Sequence, residues 1–311
     1  MLAALLTTLL FSISAICGQR SARQIGGVEA NFWRICISAI LLAIWANLFG
    51  TRMSGEALPV FALSGLLGIG LGDTGYFQAL TRLGARRAVI IMQCLTAPVA
   101  ALIEWLWLGT KLNAGEIFFI AVILIGVAVA MAPGEHLEIP RRQLIQGTVF
   151  GIIGALGGAL GAVLSRKAYA IAHAAGEHPD PGTTGYQRIL GGALVPAIIL
   201  IVVKWRSARA HGGVFESKTL EVSREKWSRI WPWVLGNGLA GQTLGVTAMQ
   251  WALENTPTGI VTAIIAMTPV VLLPMTRVVD NEKIGMRSLT GAVLGVLGVI
   301  GLAYWKVFYR H

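Results

Sequence analysis

Asp73 is the residue whose type and place most need a chemical account. It lies in Gly72-Asp73-Thr74-Gly75-Tyr76, inside an apolar stretch from Leu58 to Leu80, and a carboxylate in hydrocarbon costs at least about 2.5 kcal/mol. Two readings explain it: a substrate or proton site, with Tyr76 three residues on sharing its helical face, or an ion pair with Arg82, Arg86 or Arg87. A later apolar stretch carries Asn237, Gln242, Thr243, Thr247 and Gln250, and Thr243, Thr247 and Gln250 fall at i, i+4 and i+7. That spacing makes a polar stripe, which lines a pathway or acts as interhelical hydrogen-bond glue worth about 0.6 kcal/mol per contact. Gln93 and Thr96 precede Pro98 by about one turn. Proline frees a backbone carbonyl there, so this pair either faces a cavity or repairs the kink. The expected substrate or pathway residues are thus Asp73, Tyr76, Gln93, Thr96, Gln242, Thr243, Thr247 and Gln250.

Other polar residues call for plainer chemistry. Glu104 sits four residues before the end of its apolar block, beside Trp105, and reads as interfacial. Arg34 and Arg188 open their blocks and read as snorkelling to phosphate headgroups or capping a neighbouring helix. His173, His178 and His211 fall between blocks with no partner at metal-ligand spacing. The pairs Gly154/Gly158, Gly157/Gly161 and Gly291/Gly295 have the GxxxG spacing of close helix packing. Cys17, Cys36 and Cys94 show no paired spacing, and no GxxxxGK[ST], HExxH or GxSxG pattern occurs. No catalytic residue, metal or cofactor is therefore expected.

The elements that position these side chains belong in a membrane. The 311 residues are 55% hydrophobic and 13% charged, with a mean hydropathy of +0.69, whereas a soluble domain carries about 25% charged residues. A cytosolic enzyme is excluded. The net charge of +10 is spread between apolar blocks rather than gathered on one face, which points to lipid and away from nucleic acid. Ten blocks have roughly membrane-spanning length: Leu2 to Cys17, Phe32 to Phe49, Leu58 to Leu80, Ala88 to Leu108, Ile117 to Ala132, Thr148 to Leu164, Ile189 to Val203, Trp233 to Trp251, Gly259 to Thr276 and Leu289 to Tyr304. The first lacks a positive n-region and a cleavage site, so it reads as a retained helix and not as a signal peptide.

The second half repeats the first. Phe32-Trp33-Arg34-Ile35 matches Tyr186-Gln187-Arg188-Ile189, Thr96-Ala97-Pro98 matches Met267-Thr268-Pro269, Gly109-Thr110-Lys111-Leu112 matches Asn281-Glu282-Lys283-Ile284, and Leu124-Ile125-Gly126-Val127 matches Val296-Leu297-Gly298-Val299. In the helix that corresponds to that of Asp73 the second half offers Gly241-Gln242-Thr243, one turn further from the helix end. Five helices per half put the two copies in opposite senses across the membrane, an inverted repeat. The expected fold is all-α integral membrane, ten transmembrane helices as two inverted five-helix repeats, over residues 1–132 and 148–311 with a linker at 133–147.

Over nearly its whole length the chain resembles the EamA-type ten-helix members of the drug/metabolite transporter superfamily. The resemblance rests on the five-plus-five repeat, on Arg34 and Arg188 opening the second helix of each half, on Pro98 and Pro269 within the fourth, and on Glu282 followed by a glycine-rich fifth helix around Gly298. Thr110 stands where the first half would carry the matching Glu. The resemblance implies export or exchange of small metabolites through a central cavity, without ATP hydrolysis. A channel and an intramembrane enzyme acting on a lipid headgroup are the alternatives. One acidic residue among amides suits amino acids, amines or other zwitterions, with coupling to protons a possibility. The expected location is the cell (inner) membrane, multi-pass, as a monomer or weak dimer.

With ten spans, 18 of the 25 Lys and Arg fall on one face and seven on the other, where the termini lie. The positive-inside rule puts the richer face in the cytoplasm and both termini outside. The family resemblance implies the opposite.

Overall fold

The computed structural model describes residues 1–51, 54–83, 85–131, 140–210, 224–280 and 285–308. Among them the chain forms ten long helices and no strand. In the first half α1 is Leu2–Ile25, α2 is Gly27–Leu48, α4 is Ala85–Leu108 and α5 is Ala114–Met131, while α3 runs through three pieces in line, Leu58–Gly65, Leu66–Gly72 and Asp73–Leu83. In the second half α6 is Arg141–Ala174, α7 is Pro181–Ala210 and α10 is Met286–Phe308. There α8 again has three pieces, Arg224–Asn237, Gly238–Gly245 and Val246–Asn255, and α9 has two, Thr258–Ile265 and Thr268–Asp280. The Glu282 turn, His211 and residues 133–139 of the expected linker lie outside the described residues, and the rest of that linker is helical from Arg141, where α6 begins.

Nine of these helices are long and apolar enough to cross a membrane. The exception is α8, whose polar stripe lowers its hydropathy and which packs against α1, α2 and α7. The helices also begin earlier than the apolar runs suggest. Polar turns at the headgroup level continue the helix, so α2 starts at Gly27 and α7 at Pro181. Arg34 and Arg188 each lie seven residues inside their helices, about 10 Å deep at 1.5 Å per residue.

The two halves interlock. α1 packs against α8 and α9, and α6 packs against α3 and α4. The hydroxyl of Thr8 donates to the Ile264 carbonyl at 3.1 Å and that of Ser12 to the Thr268 carbonyl at 3.0 Å, so α1 is built into the bundle. Asn237 of the polar stripe also serves this contact, accepting from Ser14 at 2.6 Å. In the loop before α7, Asp180 takes hydrogen bonds from Trp45 of α2 and from Thr183. Burial alone would push its carboxyl up; the bonds from Thr183, Trp45 and nearby backbone amides outweigh that and hold it below the usual carboxylate range.

Glycines bring backbones together where α3 crosses α6. A Cβ on Gly157 would come within 2.8 Å of the Gly72 nitrogen and the Leu67 carbonyl, whereas one on Gly158 would meet nothing closer than 3.8 Å. Gly157→Ala is therefore expected to destabilise the protein by about 1–3 kcal/mol, the usual result of overpacking, and Gly158→Ala to be close to neutral. Denaturation of the two purified variants checks this, and equal stabilities would refute it. Gly126 likewise lies against Gly291 and Gly295, joining α5 to α10.

Both three-piece helices owe their middle segment to widened, π-type turns with i→i+5 bonding, a feature that recurs at functional sites. The two segments end at Gly72 and Gly245, 173 residues apart. At that spacing Leu66, Gly68, Leu71, Gly72, Thr74 and Ala79 coincide with Leu239, Gly241, Leu244, Gly245, Thr247 and Ala252. The counterpart of Asp73 is thus Val246, and Gln242 lies one turn before it, the offset expected from the sequence.

Candidate functional site

The bundle is most polar where α2, α3 and α8 meet. Asn31 is buried on α2 and accepts from Nε of Arg34 at 2.8 Å, which fixes the guanidinium so that its Nη2 reaches Oδ2 of Asp73 at 2.6 Å. Gln242 comes in from α8 and donates Nε2 to the same oxygen at 3.1 Å. The side chains of Arg34 and Asp73 are only 12% and 22% exposed, and the Phe77 ring lies 5.6 Å from the guanidinium carbon. Oδ1 of Asp73 receives no hydrogen bond from the described residues, so the carboxylate keeps acceptor capacity. Asp73 directly follows the widened turn of α3, which sets the direction in which its side chain leaves the helix.

Across the midplane lies a second arginine. Arg188 of α7 is 4% exposed and donates Nη1 to Oε1 of the fully buried Gln250 at 2.6 Å. Nearby, the hydroxyls of Tyr169 and Thr184 share a 2.7 Å hydrogen bond. Among the described residues no carboxylate lies within ion-pair distance of Arg188. A cation so placed costs at least about 2.5 kcal/mol. On these same helices four buried polar atoms have no partner among the described residues: Nε of Arg188, Oε1 of Gln242, Oγ1 of Thr243 and Nε2 of Gln250.

A tie of a different kind closes the bundle toward the face that carries the termini. Glu104 of α4 is 2% exposed, accepts from the backbone N–H of Thr258 at 2.6 Å, and pairs with Nε of Arg166 at 2.5 Å. Arg166 in turn donates Nη1 to the Leu253 carbonyl at 3.1 Å. Thr258 opens α9 and Leu253 lies in the last turn of α8, so this single ion pair satisfies an orphan donor and an orphan acceptor on the two sides of one tight turn.

The EamA-like transporter family matches residues 1–132 and 145–304. The chain is a member of the EamA-like transporter family. It is accordingly a multi-pass membrane transporter. A crystal structure of a protein 15% identical in sequence matches with a TM-score of 0.73 over 99% of each chain, a likeness of fold alone. No sequence among curated proteins matches.

In this EamA-like transporter the sequence-expected residues separate. Asp73, Gln242, Thr243 and Gln250 gather around the two arginines. Tyr76 is half-buried one turn beyond Asp73, its ring 5.8 Å from that of Phe77. Thr96 and Thr247 spend their hydroxyls on the carbonyls of Met92 and Thr243 four residues back in their own helices, and Gln93 is half-buried on α4.

Several expectations are corrected. Asp73 pairs with Arg34; Arg82 instead bonds Gln78 and lies 4.8 Å from the Phe150 ring. Arg34 and Arg188 do not snorkel, because the polar turns before them carry both below the interface. Glu104 is not interfacial, since α4 turns it into the bundle toward Arg166. His173 falls not between helices but within α6, which extends to Ala174, and there reaches Oε1 of Glu254 at 3.3 Å. The signal for Arg34 was the short spacing from Gly27, a helix start hidden by polar residues. No local signal marked the 154-residue contact from Glu104 to Thr258.

Proposed function

We propose that this protein is a secondary transporter that exports or exchanges small metabolites across the cytoplasmic (inner) membrane by alternating access, residues 1–132 and 148–311 being its two inverted repeats and Asp73 its substrate or proton site. One observation carries the reading: a charged pair, Arg34 and Asp73, is held inside the bundle by a residue of the opposite half, Gln242, whose own Oε1 has no partner among the described residues. A merely structural pair would be satisfied on all sides. Toward the terminal face the Glu104–Arg166 tie and the close approach of Gly259 to Ala101 shut the bundle, as one stage of such a cycle requires. Burial of Arg34, Arg166 and Arg188 removes one cation from the richer surface and two from the poorer, which favours termini outside.

The test is counterflow in proteoliposomes loaded with unlabelled alanine, lactate or putrescine and given the labelled compound outside. A carrier gives transient accumulation of at least one label and saturates. Flux without counterflow would identify a channel, and chemical change of the compound an enzyme.

A further inference from the structure

We infer that the Arg188–Gln250 unit is a subsite for the carboxylate group of a small organic anion. The inference rests on the transport reading only for the route by which the anion arrives. Three observations carry it. The guanidinium is 4% exposed and no carboxylate among the described residues pairs with it directly, the charge of Asp73 acting on it only from beyond ion-pair distance. Among the described residues its one hydrogen bond uses Nη1, so none is made along the Nε–Nη2 edge. That edge is the planar fork that matches the two oxygens of a carboxylate.

The neighbours fit the same ligand. Nη2 lies where a Cβ on Gly68 would be only 3.0 Å away, so glycine at this place in the widened turn of α3 keeps a side chain off the fork. Gln250 is fully buried and its Oε1 is occupied by Arg188, so its amide can offer only the Nε2 donors, which also lack a partner. Guanidinium and amide are locked together by a 2.6 Å bond, so their free N–H groups form one patch of donors without an acceptor. A buried patch of that kind is complementary to an anion and repels an amine.

The experiment measures binding without transport. The thermal unfolding midpoint of the purified full-length protein in detergent is followed against sodium propionate, its uncharged isostere propionamide, sodium phosphate and sodium chloride, at constant ionic strength. Propionate is expected to raise the midpoint saturably and the other three to leave it unchanged. Arg188→Gln should weaken the apparent affinity at least about thirtyfold, as truncating one partner of a buried charge pair does. Gln250→Glu keeps the shape, gives the guanidinium an internal counter-ion and preserves the fold; it should lose the propionate response to the same extent. The inference is overturned if propionate gives no shift, as with a site filled only by water. Equal shifts with propionamide, phosphate or chloride, or an undiminished response in Gln250→Glu, overturn it as well. Counterflow that succeeds without propionate binding sinks this subsite alone, whereas propionate binding without counterflow sinks the transport reading and leaves the subsite standing.

Discussion

Asp73→Asn will abolish transport while the protein stays folded and inserted in the membrane. The substitution keeps the shape of the side chain, and an amide oxygen can still accept from Arg34, so the geometry that Asn31 imposes on the guanidinium survives. What disappears is the buried negative charge beside Arg34 and the group that could carry a proton. The remaining cation is buried, and removing one partner of such a pair destabilises by about 3–5 kcal/mol in a dry interior; the 22% exposure of Asp73 and the retained hydrogen bond place the cost below that range. The double variant Arg34→Gln with Asp73→Asn separates the two roles. It should recover stability, because no charge is left unpaired, and it should remain inactive. Transport at the normal rate, with the normal response to pH, in the single variant would show that Asp73 is a structural ion and no part of the path.

Removing the carboxylate of Glu104 should damage the fold more than any other single loss of a charged group. Glu104→Ala strips Thr258 of its acceptor and Arg166 of its counter-ion at once, and Arg166 is the group that holds the Leu253 carbonyl. Here the whole of the roughly 3–5 kcal/mol for breaking a buried pair applies, since Glu104 is 2% exposed. The turn between α8 and α9 should then open toward the terminal face. The expected readout is a sharp fall in the yield of monodisperse protein, with a cysteine placed at Thr256, buried in the native protein, becoming reactive to a polar maleimide. Glu104→Gln keeps an acceptor for Thr258 and should fall between the two. Wild-type stability together with an unreactive cysteine in Glu104→Ala would mean that the tie holds nothing.

Much of this architecture is legible in one sequence because lipid imposes a crude grammar of long apolar runs, and because the second half repeats the first. Asp73 was legible on cost alone, and Gln242, Thr243 and Gln250 on spacing. Their partners were not. Arg34 and Arg188 stand at the edges of apolar runs, and only the helical start at Gly27 or Pro181 reveals their depth. Asn237 looked like its stripe-mates until α1 was seen to use it. Glu104 needed Arg166 and Thr258, which come to it through the packing of α4 against α6 and α9, a matter of tertiary order that no local pattern records. Register was legible too, Gln242 lying one turn further from the end of its helix than Asp73 does.

The widened turns also speak to ancestry. A single turn of this kind in one helix could have arisen at any time. Two of them, ending at Gly72 and Gly245 and flanked by the same small residues, are most simply one event copied. The insertion that widened the turn then came before the gene was doubled and fused, when a chain of five helices assembled with a second copy lying upside down beside it. On that history Gly68 and Gly241 are descendants of one glycine, while Asp73 and Gln242 are later acquisitions that each half made alone. The frame is inherited and symmetric; the chemistry is what divergence added to it.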